Sequence, residues 1–133
     1  MSEHVLHARA LLFDFDGVLV DSVAAVERAW GRWANEHGLD PDTVVAQAHG
    51  VRTVETIRVL TPHLDADEEA TRLEDREVDS THRVAASAGA AAVLADLPSS
   101  RWAIVTSGSR RLATARQPIG GGSRHPWSRL PSL

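Results

Sequence analysis

The stretch that most limits how this chain can fold is LLFDFDGVLVDS, residues 11–22. It is an apolar run of strand character, interrupted by Asp14 and Asp16, turned at Gly17 and followed by Asp21 and Ser22. Side chains alternate along a strand, so carboxylates two residues apart share a side while the strand stays regular. Like charges that close repel, and packing returns nothing for that cost. A cation, or a reaction that uses both groups, does. The segment therefore sets fold and chemistry together. Ala10 to Val20 is expected as a buried strand, apolar on both sides as in a parallel sheet, ending in an acidic turn. Asp21 or Ser22 then caps a helix.

The segment that follows has helical spacing. Val23, Val26, Trp30 and Trp33 repeat on one face through His37, and Gly38 stops the run. Asp40-Pro41-Asp42 opens a second helix, Thr43 to Ala48, broken by His49-Gly50. A third spans Thr53 to Leu60 and is interrupted by Pro62. A fourth starts at Asp67-Glu68-Glu69, with acids in its first turn, and runs to about Asp79. The acidic run Asp65 to Glu77 reads as a solvated helical face. Ala85 to Gly89 reads as a loop, and Ala90 to Leu97 as a helix closed by Pro98. Arg101 to Val105 is a second buried strand, followed by the turn Thr106-Ser107-Gly108-Ser109 and a short helix through Arg116. From Gln117 the pattern is lost: this tail holds three of the six prolines and a glycine triplet, and reads as disordered.

Composition excludes several functions. The 133 residues suffice for one small domain with a core. A net charge of −4 without a basic stripe argues against nucleic acid. The absence of cysteine removes thiolate nucleophiles and disulfides. No apolar run approaches about 18 residues and the start lacks the form of a signal peptide, so the expectation is a cytoplasmic protein with no membrane partner.

A strand, then Asp-x-Asp-Gly-Val-Leu-Val-Asp-Ser, then a helix closely resembles the first motif of the haloacid dehalogenase superfamily. Trp102-Ala103-Ile104-Val105-Thr106-Ser107-Gly108-Ser109 is similar to its second, a strand ending in Thr or Ser. The helical segment between them resembles the subgroup with a helical cap, which includes sugar-phosphate and glycerol-phosphate phosphatases and β-phosphoglucomutase. The resemblance implies an α/β parallel-sheet core from residues 1–20 and 90–116, incomplete here, with an all-helical cap at 21–89 and a tail outside the family pattern at 117–133. It further implies Asp14 as the nucleophile that forms an aspartyl-phosphate, and Asp16 as the acid and base whose main-chain carbonyl also binds Mg²⁺ beside Asp14. Gly17, Thr106, Ser107 and Gly108 would contact the phosphate of a small phosphorylated metabolite, with the choice between Thr106 and Ser107 open. The stretch His49 to Thr56 resembles the substrate-specificity loop, which implies His49, Gly50 and Arg52 as substrate-specificity residues; Arg52 either reaches substrate or is solvated.

Asp16 favours phosphoryl transfer over dehalogenation, which has no leaving oxygen to protonate. The phosphonate-cleaving branch needs a cap lysine, and all 14 basic residues here are arginine. The family pattern also expects, beyond the second motif, a lysine and an acidic pair that completes the Mg²⁺ shell. Neither is present, since no Asp or Glu follows Asp96. Arg110 or Arg116 could supply charge, but nothing supplies the pair. The expectation is a truncated or frame-shifted phosphatase of weak activity, with a phosphosugar mutase or a non-catalytic fragment as alternatives, prone to self-association through an open sheet edge.

Overall fold

The computed structural model describes residues 4–80 and 84–117. In chain order these form β1 (Leu11–Phe13), β2 (Val20–Asp21), α1 (Val23–Glu36), α2 (Pro41–Ala48), α3 (Thr53–Leu60), α4 (Ala66–Asp79), β3 (Ala85–Ala86), α5 (Ala90–Asp96), a single 3-10 turn (Ser99–Arg101), β4 (Trp102–Ile104) and α6 (Arg110–Ala115). The tail reading falls almost wholly on residues 118–133, outside the described part.

β1 and β4 pair in parallel, with Leu11 opposite Trp102 and Phe13 opposite Ile104. The amide of Val105 extends the ladder by donating to the carbonyl of Phe13 at 2.8 Å. Both acidic and hydroxyl turns therefore leave the carboxyl ends of adjacent parallel strands, where α/β sheets place their ligand crevices. The single buried strand expected over Ala10 to Val20 is not what forms. β1 ends at Phe13, a tight turn follows, and β2 resumes at Val20 to pair antiparallel with β3. Nor is β1 buried: Leu12 is 73% exposed, because β4 is its sole strand partner among the described residues.

The helices are set by local signals. Asp40 accepts from the Thr43 amide at 2.9 Å, with Pro41 in the first turn of α2. Asp65 accepts from the amides of Asp67 and Glu68 to open α4. Their apolar faces meet in a cluster around Trp30, Trp33, Val44, Ile57 and Leu73. A second, smaller cluster joins Phe15, Leu19 and Val20 to Ala90, Leu94 and Trp102. Within α4 the solvated-face reading fails at two positions. Glu69 and Glu77 occupy inward sites of the Ala66, Glu69, Leu73, Glu77 stripe and are buried. Each is held by a donor that only the fold brings: Trp33 Nε1 at 3.0 Å for Glu69, and Arg116 Nη2 at 3.1 Å for Glu77.

Candidate active site

The first motif is a turn tied to one carbonyl. The amides of Val18, Leu19 and Val20 all point at the oxygen of Phe15, and the Gly17 amide donates to Val20 at 2.8 Å. Gly17 has φ +74°, and a Cβ there would lie 2.9 Å from the Val23 side chain, so only glycine fits. The turn buries Phe15 between the two carboxylates and leaves Asp14 exposed and Asp16 half-buried. Strand alternation is not what places them together; the turn is.

Asp14 and Asp16 open on a cavity of about 350 Å³ between the strand ends and the helices. Gly17, Ser107 and Gly108 line it from the sheet side, and His49 and Gly50 from the end of α2. Thr106 and Arg52 are not among its lining residues. The Thr106 hydroxyl instead accepts from the Gly108 amide at 3.1 Å, stabilising the turn that presents Ser107. Arg52 stands exposed at the start of α3, on the solvated side of the two readings.

Asp16 is the fixed member of the pair. Its Oδ1 accepts from Ser22 Oγ at 2.6 Å and from Arg116 Nη1 at 2.7 Å. No described residue donates to Oδ2, which faces the Gly108 turn. Ser22 sits at the N-cap position of α1 without capping it, because its hydroxyl serves Asp16. Of the two arginines considered from sequence, Arg110 is exposed and Arg116 is 3% exposed. Arg116 also reaches Glu77 in α4, which joins the carboxylate of the strand turn to the helical layer. Burial pushes the Glu77 carboxyl above its ordinary range, against the pull of Arg116. Sequence reasoning missed Glu77. Its signal was a carboxylate on an apolar helical stripe.

Four carboxylates, Asp14, Asp16, Glu27 and Glu77, thus face a cavity with one guanidinium already engaged by two of them. Such a space repels a phosphate unless a cation enters with it. The donors fit a hard cation in type: Asp14 and Asp16 bring oxygen ligands to the cavity, and oxygen ligands are what Mg²⁺ takes. They do not form a closed cage, since no cluster of three or more His, Asp or Glu suited to a metal occurs among the described residues. One or two carboxylates with water and a substrate phosphate is an ordinary Mg²⁺ shell, and the site suits that open form.

Known proteins match most of this chain. The model of the haloacid dehalogenase-like hydrolases matches residues 8–123. Hexitol phosphatase A of Escherichia coli (strain K12) is 45% identical over 121 residues, covering 87% of this chain and 56% of that protein. 2-Deoxyglucose-6-phosphate phosphatase 1 of Saccharomyces cerevisiae is 35% identical over 115 residues, covering 77% and 47%. A crystal structure of a hydrolase from Pseudomonas syringae superposes with a TM-score of 0.63 at 26% identity, over 80% of this chain and 52% of that one. The chain spans about half the length of the curated relatives it matches. Among the described residues, no helix is long and apolar enough to cross a membrane.

Proposed function

The chain belongs to the haloacid dehalogenase-like hydrolases, and on that footing we propose that its site performs phosphoryl transfer from a small sugar or polyol phosphate to water. The Asp14 carboxylate attacks phosphorus, and the bond to the leaving oxygen breaks as Asp16 supplies that oxygen with a proton. Asp16 then takes a proton from water, which attacks the aspartyl-phosphate and returns Asp14 with free phosphate. Ser107 orients the phosphoryl oxygens, and Gly17 and Gly108, which carry no side chain, let the phosphoryl group approach the two turns. Asp14 and the Asp16 carbonyl would hold Mg²⁺ together with the phosphate, and the bound ion would offset the negative charge of the carboxylates that line the cavity. The helices α1–α4 act in this reading as a cap that closes the cavity over the substrate.

One observation carries the proposal: Asp14 and Asp16 open on the same cavity, and Asp16 is anchored through Oδ1 alone. A fixed carboxylate with one oxygen unclaimed is positioned to move a proton without reorientation. The names of the relatives, a hexitol phosphatase and a 2-deoxyglucose-6-phosphate phosphatase, support a neutral polyhydroxylated leaving group. Hydrolysis is preferred to a phosphosugar mutase, whose bisphosphate intermediate needs a second cationic site. The cavity wall made by α1–α3 presents no arginine among the described residues.

The test is Mg²⁺-dependent phosphate release from a panel of sugar and polyol monophosphates, paired with Mg²⁺-dependent binding of beryllium trifluoride, an acyl-phosphate mimic, read by fluorine NMR. We expect slow release and clear binding, both lost in Asp14→Asn. A wild-type chain that matches Asp14→Asn in both measurements overturns the proposal.

A further inference from the structure

We infer that Glu27 is a specificity-determining residue that accepts hydrogen bonds from the hydroxyl groups of the substrate's organic half, and that it excludes substrates carrying a second anionic group. This rests on the phosphoryl-transfer reading of the same cavity. Val23, Val26, Glu27 and Trp30 fall at positions i, i+3, i+4 and i+7 of α1, and all four line the cavity. Glu27 is thus the one charged member of an otherwise apolar stripe, placed on the helical wall opposite the strand-end turns that hold Asp14 and Ser107.

Several other carboxylates of the helices have partners. Glu36 is paired with Arg76, Glu68 with Arg72, Asp75 with Arg111, and Glu77 with Arg116. No described residue bonds to Glu27. A carboxylate offers only acceptors, so it is suited to hydroxyl donors. Thr53 and His49 line the same wall and complete a polar rim, while Val23 and Val45 supply apolar surface for a carbon chain. A carboxylate or second phosphate on the substrate would meet Glu27 as a like charge, with no arginine on that wall to offset it.

The test measures binding in an Asp14→Asn background, which stops turnover and removes one negative charge from beside the phosphate. With Mg²⁺ present, affinities for inorganic phosphate, sorbitol 6-phosphate and phosphoglycolate are compared with and without Glu27→Ala. Alanine on an exposed helical position leaves the fold intact. Sorbitol 6-phosphate is expected to weaken about tenfold, as for loss of a hydrogen bond to a charged group. Phosphoglycolate is expected to tighten, and inorganic phosphate to stay within about twofold because it reaches only the sheet side. Unchanged sorbitol 6-phosphate affinity, with phosphate binding intact, overturns the assignment of Glu27 alone. Failure of inorganic phosphate to bind the unmodified chain with Mg²⁺ present overturns the phosphoryl-transfer reading and this inference with it.

Discussion

In the helical layer Trp30, Trp33, Ile57 and Leu73 are almost wholly buried, and the buried carboxylates Glu69 and Glu77 find donors. In the sheet, Leu12 and Val105 stand mostly open to solvent and each strand has a single neighbour among the described residues. The helices close a core from segments near in sequence, with short loops and their own caps. A parallel sheet cannot, because each strand needs covering on two faces by elements distant in the chain. The site lies where the two regions meet, and the helical side holds it: Ser22 of the α1 N-terminus and Arg116, backed by Glu77 of α4, fix Asp16. A catalytic turn on a thin sheet can therefore be ordered by the helices packed against it.

The sharpest way to break this contrast is to truncate one apolar residue in each region. Trp33→Ala removes a core side chain, its edge-to-face contact with Trp30 and the donor to Glu69, and should cost about 3–5 kcal/mol. Leu12→Ala should stay within about 0.5 kcal/mol. Urea unfolding followed by circular dichroism reads both. Equal losses would mean that Leu12 is covered in solution, and we propose a second copy at the sheet edge as the cover. Leu12→Lys should then lower the apparent mass in light scattering without lowering the melting temperature.

Arg116→Met addresses the junction. It strips the counter-charge from buried Glu77 and one of two donors from Asp16, and an orphaned buried charge costs about 3 kcal/mol or more. The part-exposed Asp16 can recruit water and softens that figure. Arg116→Lys should recover only part of it, since one ammonium cannot reproduce the forked contact to two carboxylates. If Arg116→Met unfolds no more readily than wild type, the two regions are not coupled through this residue. Ser22→Ala should be milder, about 1 kcal/mol, because Arg116 still serves the same oxygen.

What the sequence made legible follows the same division. The helices were readable because their signals are local: Asp40-Pro41, Asp65 before three acids, Gly38 after the last turn. The two motifs were readable from residue identity. The β2–β3 pairing was not, since Ala85–Ala86 carries no strand preference and forms only because Val20 and Asp21 lie opposite. Glu69 and Glu77 looked solvated because a carboxylate is expected outside. Their donors, Trp33 and Arg116, lie 36 and 39 residues away in sequence. Glu27 belonged to a helical stripe that was recognised through its apolar members alone.

The smallest effect separates the two forces acting on Glu77. Burial raises its carboxyl above the ordinary 4.5, while attraction to Arg116 lowers it and the charges of Asp16 and Glu74 add to the rise. Between 4.5 and the raised value, the folded chain binds a proton that the unfolded chain does not. Stability tied to Glu77 is therefore fully present below the ordinary value and is lost as pH rises through the raised one. Glu77→Gln has no such proton, so the wild type should gain stability relative to this variant as pH falls through that window, and the difference should level off below it. Paired urea titrations at stepped pH give the curve directly. The opposite slope would show that attraction to Arg116 outweighs burial. Glu77 would then be held at the junction as a charge, and the helical layer would grip Asp16 through a full ion pair.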